Sequence, residues 1–294
     1  MVGRILHFSQ PYHLSVKLSQ LVITNKDTGE VINRPIEDTA VLMLEHSQLT
    51  YTHAAMQELM AHNVAVVFCG ADYHPAGLLL PLSGNVLQHH RFQSQIGASL
   101  PLTKQLWQQT VKAKIQNQAA LLESLGKSGQ ALRQMADDVK SGDSENHEAR
   151  AAKAYWGQLF LTDFRREREG AWPNSALNYG YAVLRAATAR AIVAAGLLPT
   201  LGIHHSNKYN AFCLADDLME PYRPFIDAEV VELQQLGIDE LNKAAKAQLI
   251  GAVLADVKQD GKKGPMMAAL HRTAQSLVGC FEKEGRKLSY PELR

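Results

Sequence analysis

One short stretch, LGIHHSNKYNAFCLADDLMEPYRP, contains two histidines and three acidic residues. His204 and His205 come before a segment rich in turn-forming residues. Asp217 and Glu220 are three positions apart, so on a helix their side chains lie on the same face. Two carboxylates that close repel each other unless a cation lies between them. Asp216 points about 100° away from its neighbour on such a helix and is the weaker candidate. The stretch therefore indicates a metal site.

A further ligand candidate lies in a distant segment, SENHEARAAKAYWGQLF. This alanine-rich segment predicts a helix with Ser144 as its N-cap and Glu148 in its first turns. A glutamate, an imidazole and a second carboxylate form an oxygen-rich ligand set that suits Mg²⁺ or Mn²⁺ better than structural zinc. Such ions act on phosphodiesters by polarising the phosphoryl oxygen and activating a hydroxyl nucleophile.

Each of these residues also has a purely structural explanation. A glutamate in a first turn stabilises a helix whatever the function. A histidine in a loop can satisfy backbone groups, and the acidic pair can form a solvated face beside Lys208 or Arg223. Spacing alone does not bring Glu148 to the other ligands, so these alternatives stay open.

Composition places limits on the function. The 294 residues are enough for two domains, and 46% of them are hydrophobic and 20% charged, as in soluble globular proteins. No apolar run approaches the roughly 18 residues of a membrane helix, and the first residues lack a secretory signal. Cys69, Cys213 and Cys280 are too few and too far apart for a disulfide framework or a thiolate zinc site. We expect a cytoplasmic protein without membrane contact.

The net charge of +1 does not suggest a general affinity for polyanions. Residues 1–90 contain four Lys or Arg and seven Asp or Glu, whereas the remaining residues contain 26 and 22. A nucleic-acid surface must therefore be a local patch in the second part of the chain.

The hydrophobic pattern predicts an α+β protein with two domains. Residues 1–85 read as short strands with one helix, and residues 86–294 as a larger all-α domain, with a connector near 81–92. After the long amphipathic helix LTKQLWQQTVKAKIQNQAALLESLG, which ends at a glycine, helices are predicted at 128–139, 144–163, 175–196, 208–220, 222–236, 239–256 and 263–284.

Several stretches resemble one protein family in order along nearly the whole chain. HEARAAKAYW, ALNYGYAVLRA, AGLLPTLGIHH and YNAFCLADDLMEPYRP resemble the CRISPR-associated integrases of the adaptation module, the Cas1 family, in the form that accompanies type II systems. The N-terminal RPIEDTAVLMLEHSQLTYTHAAMQEL and VAVVFCGADYHPAGLLLPL are similar to the β domain of that family. The resemblance implies a metal-dependent DNA endonuclease and integrase of antiviral defence. It implies spacer acquisition by transesterification, in which the 3′ hydroxyl of a prespacer attacks a phosphodiester at a CRISPR repeat boundary.

The resemblance also implies roles for individual residues. The metal-binding and catalytic positions of the family fall on Glu148, His205 and Glu220, and not on His204. Asp217 becomes an additional acidic metal-site residue. Because many members have aspartate at the late position, the resemblance leaves open whether Asp217 or Glu220 binds the Mg²⁺ or Mn²⁺ ion more directly.

DNA contacts are expected from basic side chains and from aromatic rings. Tyr179 and Tyr181 are candidates for stacking on a base at a splayed DNA end, whereas Tyr155 and Trp156 fit a helix core better. A solvated charged face remains an alternative for the basic residues. The predicted phosphate contacts are Lys153, Arg165, Arg166, Arg168, Arg185, Lys208 and Arg223.

Partners follow from the resemblance alone. They are prespacer and repeat DNA, a second copy of the chain bound through the acidic β domain, and the smaller protein Cas2. Type II relatives also imply an effector nuclease and an accessory DNA-end-binding protein, although no motif here can be assigned to either. Two alternatives remain: a non-catalytic DNA-binding scaffold in the adaptation complex, and a metal-dependent hydrolase of small phosphoesters.

Overall fold

The computed structural model describes residues 3–160, 164–167 and 170–293. The chain has a mixed α+β architecture and divides into two units, Met1–Val86 and Leu87–Arg294. Each unit has its own sheets and its own core, and the residues that carry the predicted chemistry lie in the second.

The first unit contains two four-stranded sheets and one helix, α1 (His53–Ala61). One sheet has the order β1-β5-β7-β8 and the other the order β4-β3-β2-β6. The strands are β1 (Arg4–Phe8), β2 (Tyr12–Lys17), β3 (Gln20–Asn25), β4 (Val31–Pro35), β5 (Thr39–Leu44), β6 (Thr50–Tyr51), β7 (Ala65–Cys69) and β8 (Pro75–Leu79).

Strand β5 explains the continuous apolar run TAVLML. It pairs in parallel with β1 on one side and β7 on the other, and all six of its residues are buried. A strand covered on both faces needs apolar residues at every position. Strands β2 and β3 instead pair antiparallel and bury alternate residues such as Leu14, Leu21 and Ile23, which join the apolar core of this unit.

The second unit is mainly helical. Its helices are α2 (Gln88–Ile96), α3 (Leu100–Ser124), α4 (Gln130–Asp138), α5 (His147–Leu159), α6 (Asn174–Ala194), α7 (Cys213–Met219), α8 (Arg223–Gln235), α9 (Lys243–Leu254) and α10 (Met266–Phe281). Helix α6 is apolar around most of its circumference because it packs against α7, α8, α9 and α10.

Two sequence predictions need correction here. The second unit is not all-α, because β9 (Asp256–Gln259), β10 (Lys262–Pro265) and β11 (Pro291–Glu292) form a small antiparallel sheet with the order β10-β9-β11. The predicted helix 239–256 therefore ends early, at Leu254. The predicted connector near 81–92 also contains the start of α2, whose few apolar residues give a weak helical signal.

The long helix α3 ends close to the predicted glycine. Gly126 has a φ of +71°, a conformation that glycine adopts without a steric cost. The backbone N–H of Lys127 then donates to the carbonyl of Leu122 at 2.9 Å and closes the last turn. None of the described helices is both long and apolar enough to cross a membrane.

Candidate active site

Glu148 lies in the first turn of α5, where a neighbouring loop carboxylate fixes the start of the helix. The two carboxylate oxygens of Asp143 accept hydrogen bonds from the backbone N–H groups of His147 at 2.8 Å and Glu148 at 2.9 Å. Asp143 therefore takes the capping role predicted for Ser144, because these N–H groups have no partner within the helix.

Glu220 lies at the junction of two helices. Helix α7 runs directly into a 3-10 turn, Glu220–Tyr222, and then into α8. The Glu220 side chain is almost fully buried, at 7% exposure. Asn117 of α3 donates its amide N–H to the carbonyl of Pro221 at 2.7 Å and so anchors this turn. The position of Glu220 is thus fixed by the backbone and not only by its own side chain.

Lys114 of α3 joins the two glutamates. Its ammonium lies 2.7 Å from Glu148 Oε1 and 2.6 Å from Glu220 Oε2. The carboxylates come from α5 and from the turn after α7, so three separate elements converge on one cation. Arg223 places its Nε 3.0 Å from the other oxygen of Glu220.

Lys114 and Glu220 form a close ion pair, but its geometry is not that of a well-formed hydrogen bond. Glu220 Oε2 is buried, and no described residue donates to it with hydrogen-bond geometry, although the ammonium is close. A buried carboxylate oxygen without a donor still has lone pairs to offer. This atom is therefore suited to bind a positive ion.

His205 is held by Asp217. His205 Nδ1 lies 2.5 Å from Asp217 Oδ1, and the Asp217 side chain is completely buried. Asp217 Oδ2 accepts the backbone N–H groups of Ile203 at 2.7 Å and His204 at 2.9 Å. Because both oxygens of Asp217 are already engaged, the structure relates this residue to His205 more directly than to a metal ion.

The ring of His204 has a different environment. It stacks on the buried Trp107 of α3, with ring centroids 4.2 Å apart and an interplanar angle of 3°. The same tryptophan meets the His205 ring edge-on at 5.5 Å. Trp107 therefore contacts both histidine rings and limits how they can rotate.

Charge and burial act together on the ionisable groups. The hydrogen bond to Asp217 raises the pKa of His205, and the charges of Glu220 and Glu148 raise it further. Burial raises the pKa of Asp217 more than its hydrogen bonds from His205 and the backbone lower it. Since Glu148 and Glu220 both influence His205, the three predicted ligands lie within electrostatic reach of one another.

The two cations stabilise the charge of Glu220. Burial acts to raise the pKa of Glu220, but Arg223 and Lys114 outweigh it and hold the pKa below its usual value. Burial likewise acts to lower the pKa of Lys114, and the charges of Glu220 and Glu148 reverse this effect. The centre therefore contains a buried, ionised carboxylate that is compensated by two positive side chains.

The side chains at this centre can be compared with the ligands that a divalent ion requires. No three His, Cys, Asp or Glu side chains in the described part of the chain are grouped closely enough to hold a metal ion as they stand. The carboxylates of Glu148 and Glu220 nevertheless share one cation, and Glu220 Oε2 lacks a hydrogen-bond donor. These oxygens with one imidazole fit Mg²⁺ or Mn²⁺ by type.

The predicted DNA contacts have different surroundings. Lys153, Arg165 and Lys208 are exposed, and the Lys208 ammonium lies 4.8 Å from the Tyr209 ring centroid. Arg185 is paired with Asp216 at 2.6 Å and keeps 38% exposure. Arg168 lies outside the described residues.

Two other predicted contacts, Arg166 and Arg223, converge on Tyr181. Their guanidinium carbons lie 5.2 Å and 4.6 Å from its ring centroid. Arg166 also donates to the side-chain oxygens of Asn174 at 3.0 Å and Asn178 at 2.6 Å. This part of the surface is held in place by neighbouring side chains, unlike the exposed lysines.

Tyr179 is a correction. It has no exposed surface, and the Lys246 ammonium lies 5.5 Å from its ring centroid. A fully buried ring on the inner face of α6 cannot stack on a base. Tyr181, the second stacking candidate, is also buried. The hydrophobic pattern does not separate these tyrosines from exposed ones, because α6 is apolar on nearly every face.

Sequence reasoning missed Lys114. The signal was a lysine on the inner face of α3, one turn from the buried Thr110, Val111, Asn117 and Gln118. A charged residue at a core position of an amphipathic helix requires a buried partner. That the partners are Glu148 and Glu220 could not be read from the pattern.

Comparison with known proteins shows the family of the chain. Residues 5–256 match the family described as CRISPR associated protein Cas1. The chain is 36% identical to a CRISPR-associated endonuclease Cas1 of Neisseria meningitidis, over the whole of this chain and 97% of that protein.

Solved structures share the fold at lower sequence identity. A casposase bound to integration product is 20% identical with a TM-score of 0.81, over 98% of this chain and 92% of that one. A chain of a Cas6-RT-Cas1–Cas2 complex is 19% identical with a TM-score of 0.76, over 98% of this chain and 36% of that one. From the family match and the full-length similarity to the Neisseria protein, this chain belongs to the Cas1 family of CRISPR-associated proteins.

Proposed function

We propose that the protein is a divalent-metal-dependent DNA endonuclease and integrase that inserts prespacer DNA into a CRISPR array. The observation that carries the proposal is the convergence of Glu148 and Glu220 on one cation position, with His205, which Asp217 holds, within electrostatic reach of both glutamates. Family membership supports the DNA chemistry, since the Neisseria relative is named an endonuclease.

In this proposal Glu148, His205 and Glu220 hold Mg²⁺ or Mn²⁺. A bound divalent ion would stabilise charge on the phosphoryl oxygens and activate a hydroxyl nucleophile. Asp217 acts through His205: by accepting the Nδ1 proton it leaves the lone pair on Nε2 for the ion. Arg223, with its Nε 3.0 Å from Glu220 Oε1, helps to keep that carboxylate ionised.

The reaction is a transesterification in which the 3′ hydroxyl of the prespacer attacks a phosphodiester of the repeat. The bond from phosphorus to the former bridging oxygen breaks, and that oxygen leaves with the displaced strand. The side chains of Lys153, Arg165 and Lys208 are exposed in the same unit and are proposed to bind the DNA backbone.

The partners are part of the same proposal. The chain acts on prespacer and repeat DNA as a homodimer assembled through its N-terminal unit, together with the small protein Cas2. Support comes from the fold shared with a chain of a Cas6-RT-Cas1–Cas2 complex and with a casposase bound to integration product. In a type II setting the effector nuclease and a DNA-end-binding protein join during capture.

The test is a strand-transfer assay with purified protein, Cas2, a short prespacer and a repeat-bearing plasmid in Mn²⁺, in Mg²⁺ and in EDTA. We expect joining in either metal and none in EDTA or with a prespacer that lacks its 3′ hydroxyl. Glu148→Gln should reduce joining by about 10³-fold or more. Glu145→Gln is the matched control, since Glu145 is an exposed neighbour that pairs with Lys140, and it should join normally.

Two results would contradict the proposal. Joining that persists in EDTA would exclude the metal mechanism. Full activity of Glu148→Gln would make the protein a DNA-binding scaffold whose partner performs the chemistry.

A further inference from the structure

Lys114 holds the position between two carboxylates where a divalent ion would be expected. Its ammonium lies within 2.7 Å of one oxygen from Glu148 and one from Glu220. These distances are typical of strong, charge-assisted contacts. The side chain of Lys114 is only 12% exposed, so its charge is largely removed from water.

A lysine in this position has two possible roles. It can be a permanent ion pair that stabilises the packing of α3 against α5 and the turn after α7. Alternatively it can neutralise the two carboxylates only while no divalent ion is bound. The two roles differ in what happens to ion binding when the ammonium is removed.

Three features favour the second role. Glu220 Oε2 receives no well-formed hydrogen bond although the ammonium is 2.6 Å away, so Lys114 does not saturate this oxygen. Arg223 places its Nε 3.0 Å from the other oxygen of Glu220, so a second positive charge stays beside this carboxylate when Lys114 leaves. The Glu148 side chain is 22% exposed, which places the pair at the edge of the core and within reach of solvent ions.

We propose that Lys114 is a tethered competitor of the divalent ion: its ammonium occupies the place between Glu148 and Glu220 and must leave both carboxylates when the ion binds. The inference rests on the proposed function, because it takes these two residues as ion ligands. A single positive charge then prevents two buried carboxylates from repelling each other until a doubly charged ion replaces it. The long, flexible lysine stem permits this movement without a change in the backbone.

The test measures Mn²⁺ binding directly, by the electron paramagnetic resonance signal of free Mn²⁺ in titrations of the full-length protein without DNA. The variants are Lys114→Met, which removes the charge, and Lys114→Arg, which keeps it. Lys112→Met is the matched control, because Lys112 lies on the same helix and its ammonium contacts the backbone carbonyl of Asp137 instead of a carboxylate. Glu148→Gln reports whether the ion binds at this site.

We expect Lys114→Met to bind Mn²⁺ at least about tenfold more tightly than the unmodified protein, because a nearby positive charge no longer competes. Lys114→Arg and Lys112→Met should bind with nearly unchanged affinity, and Glu148→Gln more weakly. Unchanged or weaker binding by Lys114→Met, together with weak binding by Glu148→Gln, would overturn the inference and leave the metal site intact. Normal binding by Glu148→Gln would show that the ligand assignment is wrong, and the inference would fall with it.

Removal of the ammonium leaves two carboxylates facing each other, so Lys114→Met can unfold without an ion. Thermal unfolding with and without Mn²⁺ covers this case. Mn²⁺ should raise the unfolding temperature of Lys114→Met more than that of Lys112→Met. An equal rise in both would count against the competition, as would a Lys114→Met protein that Mn²⁺ cannot restore.

Discussion

Asp217 and His205 pair a fully buried carboxylate with an imidazole that is 45% exposed, with 2.5 Å between Oδ1 and Nδ1. The other carboxylate oxygen of Asp217 is held by the backbone N–H groups of Ile203 and His204. Both carboxylate oxygens of Asp217 are therefore fixed by hydrogen bonds. The bond to Nδ1 selects the imidazole tautomer whose Nε2 carries the lone pair.

Asp217→Asn tests this selection. The two backbone N–H groups require an oxygen at the Oδ2 position, so the new amide N–H₂ faces His205 Nδ1 and forces the proton onto Nε2. We expect Mn²⁺ affinity to fall about 10- to 100-fold, as for other outer-shell partners of ligating histidines. Strand transfer at low Mn²⁺ should fall in parallel and recover partly at high Mn²⁺.

The control for this variant is Asp216→Asn. Asp216 is the sequence neighbour, but it pairs with Arg185 and accepts from Asn210 at 2.7 Å. Its substitution should leave Mn²⁺ affinity nearly unchanged. An equal loss in both variants would point to a general disturbance of α7 and not to the tautomer of His205.

The two adjacent histidines should respond differently to the same substitution. His204→Phe keeps the aromatic stack on Trp107, so we expect strand transfer within about threefold of normal. His205→Phe removes the imidazole held by Asp217 and should reduce strand transfer by about 10³-fold or more. Rates from the same assay decide the point. A larger loss for His204→Phe would reverse the choice of ligand.

Gly202 is needed for the close approach of the histidine loop to α7. A Cβ at this position would lie 2.4 Å from the carbonyl oxygen of His205 and 2.6 Å from Asp217 Oδ2. Gly202→Ala must therefore displace the loop, and we expect strand transfer to fall by about 100-fold and stability by about 1–3 kcal/mol. Denaturant unfolding and the joining assay measure the two effects.

Gly251→Ala is the matched control. Gly251 lies within α9, and a Cβ there meets nothing within 4 Å. Alanine favours a helix over glycine, so this variant should gain about 0.5–1 kcal/mol and keep its activity. Normal activity of Gly202→Ala would show that the loop adjusts without moving His205.

The buried Asp227 should make the free energy of unfolding depend on pH. Burial raises the pKa of Asp227 to about 6, against hydrogen bonds from Tyr181 and Tyr155 that lower it. The charged groups that face it are Arg223 and Arg166, and they also lower it. Between about pH 4 and 6 the folded protein holds a proton here that the unfolded chain has lost, so this residue makes stability fall as pH rises.

The measurement compares the free energy of unfolding of the unmodified protein and Asp227→Asn at pH 4 and pH 7. The variant cannot ionise, so its stability relative to the unmodified protein should improve on going to pH 7. From the two pKa values the change is about 3 kcal/mol at most. A constant difference across this range would mean that folding does not raise the pKa of Asp227.

Much of the centre could be anticipated from the sequence, because residue types and short-range spacing are local properties. The close spacing of His205, Asp217 and Glu220 indicated a metal site, and the helical pattern placed Glu148 near a helix start. The prediction of short strands with one helix over residues 1–85 agrees with strands β1 to β8 and helix α1. The small sheet of β9, β10 and β11 was missed because its strands have only two to four residues each, and because β11 pairs with β9 across the length of α10. The hairpin of β9 and β10 does leave a local signal, the two-residue turn Asp260-Gly261.

Tertiary structure alone decided how these residues act together. Asp217 and Glu220 have the spacing of one helix face, yet Asp217 contacts His205, whereas Glu220 contacts Lys114 and Arg223. Tyr179 became a core residue because helices cover α6 on several sides. The sequence determined which groups are present. Only the packing of α3, α5 and the turn after α7 set the distances, and electrostatic and hydrogen-bond energies depend on distance and burial, which no linear pattern contains.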